Sequence, residues 1–492
     1  MAAQDANGPG KGLVGGQYRP LSRDHIGRIH ETSLRVLDQV GVRVDLEEAR
    51  EILAAKGARV DPADGRVRMK SGIVEKALRM APSSVTLCGR KAEHHLDAGG
   101  RRTHFGTGGA AVKVEDLETQ KVRASRLQDI ADMARLVEAL PNVHFFVRPC
   151  SAQDVPDEDR AVNEFYASLA NTTKHVMGAA YTPEGAKNVV ELGGLLAGSK
   201  EAFQAGPLFT VIVSWMNSPL NFDPDGTRTL LEVVRSGVPV ALSSAPMAGA
   251  TSPVTLAGTL VQLHAEELAG VVFTQMVRPG APVIYGGIPS MADMRRLRYV
   301  GGGVEFGMMN AAIAQLSQYI RVPNYNSAGI TEAKIPDIQA VYEKCFAILQ
   351  CALSGSNIIH HAAGMLESLL TINYEQLVID NEILGMALRA VRGIEVDEDT
   401  LAYDVIEEMA PQGNYLASEH TVRFVRTEYL EPMLADRSDR ETWESLGMEG
   451  INEKARERVR DILSNGPSAA PREPLPQDLD REIRKRFSIL LD

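Results

Sequence analysis

Cysteine, tryptophan and other aromatic residues are scarce in this chain, and long apolar runs are missing. Of its 492 residues, four are cysteine, two are tryptophan and 5% are aromatic. Four cysteines without a CxxC pair are too few for a disulfide framework, so we predict that they are reduced and mostly buried. No stretch approaches ~18 uninterrupted apolar residues and the first residues contain no apolar signal core, which predicts a cytoplasmic protein without a membrane span.

A long run of lysine or arginine is missing as well. The 52 basic and 64 acidic residues give a formal net charge of −12. This balance argues against nucleic acid as the main partner, but it leaves a cationic small molecule open as a substrate because local fields decide such binding. The 44% of hydrophobic residues are typical of a globular protein with a large core.

Short apolar runs alternate with helical patterns through the middle of the chain. The eight runs are 103–107, 143–148, 174–179, 208–214, 238–243, 283–287, 321–326 and 357–361. A strand followed by a helix, repeated eight times, predicts an α/β fold with a (β/α)8 TIM barrel. A doubly wound open sheet is the alternative.

The segments on either side of the barrel are predicted to be extensions. Residues 1–17, rich in glycine and small residues, are expected to be a flexible N-terminal arm, and 18–100 an N-terminal helical region. We place the barrel at 101–365 and a C-terminal helical region at 366–465. Residues 466–492 are predicted to be a proline-rich linker with a terminal helix, which is either a solvated tail or a docking element for a neighbouring subunit.

Aromatic side chains coincide with the predicted strand ends, where barrels of this kind carry their chemistry. They are Phe105, Tyr181, Trp215, Tyr285 and Tyr325. Ring faces attract a cation that cannot donate hydrogen bonds by roughly 0.5–2 kcal/mol each, so five rings predict a pocket for a quaternary ammonium ion. For each ring, ordinary packing at the barrel end is the alternative.

A glycine-rich turn and a histidine at the strand ends are candidates for binding a substrate carboxylate. The turn consists of Gly106, Thr107, Gly108 and Gly109. Its backbone amides, together with His360, are predicted to hold the carboxylate, with a core histidine as the alternative. The turn lacks the GxGxxG and P-loop patterns, which disfavours phosphate binding.

Two charged residues are further candidates, and no metal site is predicted. Arg148 follows the second predicted strand and is either a second carboxylate ligand or part of a salt bridge. Glu332 follows the seventh and either adds negative charge beside a cationic substrate or caps a helix. The histidines are scattered without HxH or HxxxH spacing, so we expect no bound metal.

Several segments together resemble the trimethylamine methyltransferase family. The resemblance covers most of the chain, over 20–465. Its most specific segments are AEELAG at 265–270, PGAPVIYGG at 279–287 and AGITEAKIPD at 328–337. Further matches lie at 256–260, 339–340, 342–343, 358–360, 364–368, 413–416 and 420–421.

The resemblance implies a (β/α)8 barrel and methyl transfer. The family members that demethylate trimethylamine carry pyrrolysine, whereas this chain contains only standard residues. It therefore resembles the non-pyrrolysine branch, whose members use quaternary amines such as glycine betaine and pass the methyl group to the Co(I) corrinoid (cobalamin) of a separate small protein. A quaternary ammonium leaves as a neutral tertiary amine, here dimethylglycine, so no catalytic acid or base is predicted.

Several alternatives stay open on the sequence. The methyl donor could instead be carnitine, proline betaine, choline or γ-butyrobetaine. A barrel that binds betaine without catalysis, or a metal-dependent lyase or hydrolase, would belong to a different class. We also expect the chain to form a homo-oligomer.

Overall fold

Eight parallel strands form the centre of the protein. The structure is a computed structural model, and it describes residues 11–296 and 298–491 except for the side chain of Gln412. The strands are β1 (Arg102–Phe105), β2 (Phe145–Val147), β3 (His175–Ala179), β4 (Phe209–Val213), β5 (Val240–Leu242), β6 (Val283–Gly287), β7 (Asn324–Ser327) and β8 (Ile358–His360). From β2 onward each strand pairs in parallel with the next, and β8 pairs with β1. A parallel bridge between Gly106 and Phe145 joins β1 to β2 and closes the ring. The predicted (β/α)8 barrel is confirmed, and the open sheet is excluded.

A helix follows every strand and covers the outside of the barrel. The helices are α1 (Leu127–Ala139), α2 (Asp157–Asn171), α3 (Pro183–Ala197), α4 (Pro224–Ser236), α5 (Leu256–Val277), α6 (Val304–Ile320), α7 (Ile338–Ser354) and α8 (Tyr374–Arg392). The side chains of Thr182, Asp223 and Asn373 cap α3, α4 and α8 by accepting a hydrogen bond from the amide three residues later. Gly198 and Gly237 end α3 and α4 in the left-handed conformation that glycine adopts without strain.

The barrel lumen is filled by inward side chains and closed at one end by a hairpin. The inward apolar residues include Phe145, Val147, Met177, Ala241, Ile284, Tyr325 and Ile358. The antiparallel hairpin of Ser84–Leu87 and Leu96–Gly99 packs its apolar side chains into the same cluster. It lies at the N-terminal end of the strands, because the carbonyl of Cys88 is 2.8 Å from Nδ1 of His175 at the start of β3. We call the opposite, C-terminal end of the strands, which this hairpin does not cover, the open end of the barrel.

Short elements before β1 pack on the outside of the barrel. They are the helices Arg23–Arg35, Glu47–Ala55 and Ser71–Met80, the π-helical turn Val36–Val40, the short 3-10 turn Ala92–His94, and the strands Val42–Val44, Arg59–Val60 and Arg66–Arg68. Leu13–Val14 pairs antiparallel with the start of β1. Positions 1–10 of the predicted N-terminal arm lie outside the described residues. All four cysteines of the chain are free thiols, two of them fully buried.

The open end of the barrel is edged by short strands in the loops. They are Lys113–Glu115, Val122–Ala124, Met216–Asn217, Asn221–Phe222, Met247–Ala248, Ser290–Asp293, Arg298–Val300, Met365–Leu366 and Thr371–Asn373, with a 3-10 turn at Glu367–Leu369. These loops form three small sheets, one of which also includes Val42–Val44 of the N-terminal region. The rim is therefore built of ordered hairpins rather than of open loops.

Residues 394–450, which we call the acidic arm, leave the barrel after α8. They contain 15 acidic and 4 basic residues. The helices of the arm are Glu398–Leu401, Tyr403–Met409, Glu419–Glu428 and Arg440–Ser445, with a 3-10 turn at Ala410–Gln412. None of these four helices contains a buried residue. The arm is anchored where Glu382 of α8 accepts hydrogen bonds from the backbone amides of Met433, Leu434 and Ala435.

The chain ends in two helices, Ile451–Leu463 and Gln477–Arg486, that return to the barrel. Ile483 is fully buried, and Arg486 forms an ion pair with Glu191 of α3. The terminal helix thus packs on its own chain, which differs from a solvated tail. Across the described part of the chain, no helix has the length and apolar character needed to cross a bilayer.

Candidate functional site

The five aromatic rings predicted to form one pocket are separated by the barrel wall. The hydroxyl of Tyr285 lies 2.8 Å from Nδ1 of His264 on α5, outside the barrel. Trp215 packs edge-on against Phe222, with ring centroids 4.5 Å apart. Phe105 belongs to the buried cluster that includes residues of α1 and α7. Successive side chains of a strand face opposite sides, and the sequence analysis did not assign that phase, so the five-ring pocket is wrong for these three residues.

The other two rings lie at the open end of the barrel. Tyr325 on β7 faces the lumen and stacks on His360 at the end of β8, with ring centroids 4.0 Å apart. Tyr181 lies at the rim and is 41% exposed. Its hydroxyl is 3.3 Å from the hydroxyl of Ser151 and donates to Glu164 at 3.2 Å. Tyr325 is thus the one predicted ring that faces the lumen.

His360 and Gly108, both predicted carboxylate ligands, lie side by side. A Cβ built on Gly108 would be 3.3 Å from Nδ1 of His360. The Nε2 atom of His360 is buried and has no hydrogen-bond partner. Burial, and His361 beside it, lower the pKa of His360 well below its usual value, so the ring is neutral. Within residues 11–296 and 298–491 the amides of Gly108 and Gly109 donate no hydrogen bond. These groups therefore have unused hydrogen-bonding capacity.

The first half of the glycine-rich turn joins strands instead. The amide of Gly106 donates to the carbonyl of Ile359 at 2.9 Å. The hydroxyl of Thr107 donates to the carbonyl of Val147 at 2.6 Å and accepts from the amide of Val147 at 3.0 Å. A Cβ on Gly106 would lie 2.2 Å from the ring of Phe145, so this position requires glycine. Gly106 and Thr107 therefore hold the barrel closed.

Arg148 is occupied by a buried ion pair. Its Nε atom lies 3.1 Å from a carboxylate oxygen of Glu164 on α2, and both side chains are almost fully buried. The guanidinium also lies 5.0 Å from the centroid of the Tyr181 ring. The charge of Arg148 is thus already balanced, which matches the salt-bridge alternative.

Glu332 connects three loops at the open end. One carboxylate oxygen accepts hydrogen bonds from the amides of Gly301 at 2.8 Å and Gly302 at 3.0 Å. The other accepts from the hydroxyl of Ser368. Both oxygens therefore have donors from the protein itself, and the side chain holds the loops after β6 and β8 together.

A buried polar group that was not predicted from the sequence shapes the same end of the barrel. Nδ1 of His361 lies 2.7 Å from the hydroxyl of Ser327. The backbone of His361 has a φ of 57°, in the left-handed region that non-glycine residues rarely adopt. Burial, with Lys344 nearby, lowers the pKa of His361 to about 3, so this ring is neutral as well.

A fully buried ion pair, also missed, holds the two loops in place. Nζ of Lys344 on α7 lies 2.9 Å from the carboxylate of Asp380 on α8 and donates to the carbonyl of Gly329 at 2.6 Å. The same carboxylate accepts from the amide of Gly364 at 2.7 Å. The pair thus fixes the backbone after β7 and after β8. Lys344 lies on an otherwise apolar face of α7, and this pattern in the sequence could have indicated a buried ion pair.

No metal centre is formed by the residues that the structure describes: no three His, Cys, Asp or Glu side chains are placed to hold one ion. The fold defines a (β/α)8-barrel protein, and Gly108, Tyr325 and His360 lie together at the C-terminal end of its strands.

The chain belongs to the trimethylamine methyltransferase (MTTB) family, whose model matches residues 5–488, and it is a methyltransferase. It is 34% identical to the trimethylamine methyltransferase MttB of Desulfitobacterium hafniense (strain DSM 10664 / DCB-2), over 96% of this chain and 93% of the relative. It is also 34% identical to the glycine betaine methyltransferase of Desulfitobacterium hafniense (strain Y51), over 96% of this chain and 97% of the relative.

Among solved structures, the chain is similar to the monomethylamine methyltransferase MtmB of Methanosarcina barkeri. The match has a TM-score of 0.47 and 11% identity, and it covers 94% of this chain and 96% of that chain.

Proposed function

We propose that this chain transfers a methyl group from glycine betaine to the corrinoid of a separate small protein and releases dimethylglycine. Family membership supports the methyl transfer. The relatives named above include enzymes for trimethylamine and for glycine betaine at equal identity, so the choice between these donors rests on the site.

The observation that carries the choice is the set of free hydrogen-bonding groups beside Tyr325. Nε2 of neutral His360 and the amides of Gly108 and Gly109 have no partner in the described protein. A carboxylate accepts hydrogen bonds from such groups, and buried polar atoms without partners are costly. Glycine betaine carries a carboxylate and trimethylamine does not, so the pocket favours the betaine.

The residues of the pocket fit the chemistry that a corrinoid supplies, namely a strongly nucleophilic Co(I) that accepts a methyl group in line. The amine departs without a charge, so the protein need not supply a proton. The pocket accordingly combines an aromatic ring with two neutral histidines, His360 and His361. Its task is to bind the donor, orient one C–N bond toward the open end and keep water out.

Exposed side chains around the open end support docking of the corrinoid protein there. Val254, Met294 and Ile335 lie in the loops after β5, β6 and β7, and each is more than half exposed. Apolar residues exposed on several adjacent loops are typical of an interaction surface.

A panel of methyl donors tests the proposed function. The purified chain is mixed with Co(I) cobalamin, or with a corrinoid protein, and methylation of cobalt is followed by its absorbance. We expect glycine betaine to be the fastest donor among trimethylamine, carnitine, proline betaine, choline and γ-butyrobetaine. Faster transfer from another donor would reassign the substrate, and binding of betaine without transfer would make the chain a binding protein.

We also propose that copies of the chain associate through the acidic arm. Large apolar side chains of the arm are exposed, and they include Leu401, Tyr403, Leu416, Val422, Tyr429 and Leu446. A second exposed apolar row, Ile338, Tyr342 and Phe346, runs along α7. The two surfaces adjoin, because Asn452, just after the arm, donates to the carbonyl of Pro336 at 2.9 Å. A second copy would cover both surfaces by a twofold arrangement.

A further inference from the structure

The amide of Gly286 takes no part in the hydrogen-bond ladder between β5 and β6, although the carbonyl of Gly286 accepts from the amide of Ser244 at 3.3 Å. On one side the amide of Val240 donates to the carbonyl of Pro282 at 3.1 Å, and on the other the amide of Ile288 donates to the carbonyl of Ser244 at 2.9 Å. The amide of Gly286 instead donates to Oε2 of Glu267 at 2.9 Å. A helix side chain has therefore replaced a strand carbonyl in the barrel wall.

Glu267 is fully buried on α5 and has no cationic partner among the described residues. Its Oε1 atom is buried without a hydrogen-bond partner. An unpaired buried carboxylate is costly, so such groups are normally paired with a cation or protonated. Its neighbour Glu266 is also buried, but it accepts hydrogen bonds from Ser218 at 2.8 Å, Leu220 at 3.0 Å and Ser244. Glu267 is thus the less satisfied of the two acids.

Glu267 reaches the wall next to the ring that faces the lumen. A Cβ built on Gly286, whose amide Glu267 holds, would lie 2.7 Å from the Tyr325 ring. Tyr325 lies on β7, between Gly286 on β6 and His360 on β8. The acid lies on one side of the ring, and the free amides and the neutral histidine lie on the other. This arrangement is complementary to a zwitterion with a cationic nitrogen and a carboxylate.

We propose that Glu267 is the counter-charge for the quaternary nitrogen of the substrate and thereby selects a permanently cationic methyl donor. The inference rests on the proposed function and deepens it, because it assigns the group that recognises the cation. Segment 265–270 is one of the segments that resemble the trimethylamine methyltransferase family, and it contains two glutamates. The proposal assigns a function to the second of them, Glu267.

The surroundings of Glu267 determine its charge in the empty pocket. The titratable groups that face it are Glu266 on the same helix, Tyr285 on β6 and Tyr325 on β7. Burial, reinforced by Glu266, raises the pKa of Glu267 well above its usual value. The raised pKa favours the neutral acid in the empty pocket, and under this proposal a bound cation favours the carboxylate, so that binding is accompanied by release of a proton to solvent.

A purely structural role makes a different prediction. A neutral carboxylic acid accepts from the amide of Gly286 through Oε2 and carries one O–H donor on Oε1, the atom that has no partner in the described protein. A glutamine amide has the same donor and acceptor pattern. Glu267→Gln therefore keeps the bridge between the strands and removes only the capacity for negative charge.

The test compares glycine betaine with 3,3-dimethylbutanoate, in which carbon replaces the nitrogen. Binding to the full chain and to Glu267→Gln is measured by calorimetry in buffers of different ionisation enthalpy, which also counts released protons. We expect Glu267→Gln to weaken the binding of glycine betaine about a hundredfold and to change the affinity for 3,3-dimethylbutanoate by no more than about twofold. The unaltered chain should release about one proton when it binds betaine, and Glu267→Gln should release none.

Glu266→Gln is the matched control, since it neutralises the adjacent buried acid. It is expected to lower the thermal midpoint without changing the ratio of the two affinities. If Glu267→Gln binds betaine as tightly as the unaltered chain, or if its loss of affinity is equal for both ligands, Glu267 is structural and the inference is overturned.

Tetramethylammonium separates this inference from the proposed substrate, because it carries the cation without the carboxylate. Proton-linked binding of tetramethylammonium that disappears in Glu267→Gln supports the counter-charge even if betaine donates no methyl group. Transfer from betaine that is unaffected by Glu267→Gln supports the function and overturns the role of Glu267. If neither cation binds the unaltered chain, both proposals are wrong.

Discussion

The barrel and the acidic arm place their charges in opposite ways. The arm has 15 acidic and 4 basic residues, so the remaining chain has 49 and 48 and is nearly neutral. In the barrel, charged side chains such as Lys344 and Asp380 are buried and paired. In the arm, the four helices bury no side chain. The same residue types thus secure the backbone in one region and keep a surface charged in the other.

This difference predicts how each region responds to substitution. The buried charge of Lys344 has a dedicated partner in Asp380, so its removal leaves an uncompensated group. An exposed residue on the four helices of the arm faces water in a single copy, so its replacement changes what the surface associates with rather than the stability of the fold. The following experiments test this contrast, beginning with the largest expected effect.

Replacing Lys344 by methionine should have the largest effect on stability. Asp380 would keep its buried position without its cation, which costs about 3–5 kcal/mol of unfolding free energy. Urea unfolding at neutral pH measures the loss. Lys334→Met is the matched control, because Lys334 is exposed in the loop after β7 and its substitution should be nearly neutral. A loss below about 1 kcal/mol in Lys344→Met would show that burial of charge does not distinguish the barrel from the arm.

Replacing Lys174, at the N-terminal end of the barrel, by methionine should have the next largest effect on the unfolding free energy, and this effect should depend on pH. Its ammonium group donates to the carbonyls of Val137, Leu140 and Val143 at 2.6 to 2.8 Å. Lys174→Met removes these three hydrogen bonds, and we expect a loss of about 2–3 kcal/mol.

The sign of the pH dependence follows from the pKa of Lys174, which burial lowers from 10.5 to about 8. Between these values the unfolded chain binds more protons than the folded chain, so this lysine adds stability as the pH rises from about 8 to about 10.5, by up to about 3 kcal/mol. Urea unfolding across that window should show the rise in the unaltered chain relative to Lys174→Met. Parallel curves for the two proteins would contradict the lowered pKa.

The barrel itself was predictable from the sequence, because each strand and helix leaves a local pattern. The run at 283–287 matches β6, and the run at 357–361 contains β8. Closure of the ring and the hairpin that fills its N-terminal end depend on contacts distant in sequence, and no local pattern encodes them.

The site was predicted only in part, for two physical reasons. When both faces of a three- to five-residue strand are apolar, the sequence does not show which side chains point into the lumen and which point to the helices. Trp215 and Tyr285 were therefore predicted to face the lumen, although they face the helices. Gly108 and His360 were placed correctly beside each other because both follow strands that pair directly. Glu267 was missed because a buried acid on a helix gives no sign of which wall it reaches.

The acidic arm should show the smallest change in stability and the clearest change in association. Leu416 and Val422 are 82% and 70% exposed. If they contact a second copy, Leu416→Asp with Val422→Asp adds charge to an apolar interface that is already acidic, and it should weaken association at least about tenfold. Sedimentation at several concentrations measures this association, while the unfolding free energy of the dissociated chain should change by less than about 0.5 kcal/mol.

Leu490→Ser is the control, because Leu490 is exposed and lies outside the arm, and it should leave the mass in solution unchanged. A monomer at every concentration of the unaltered chain would show that the arm serves another partner, and a large loss of stability in the double variant would show that the arm supports the fold as the barrel does.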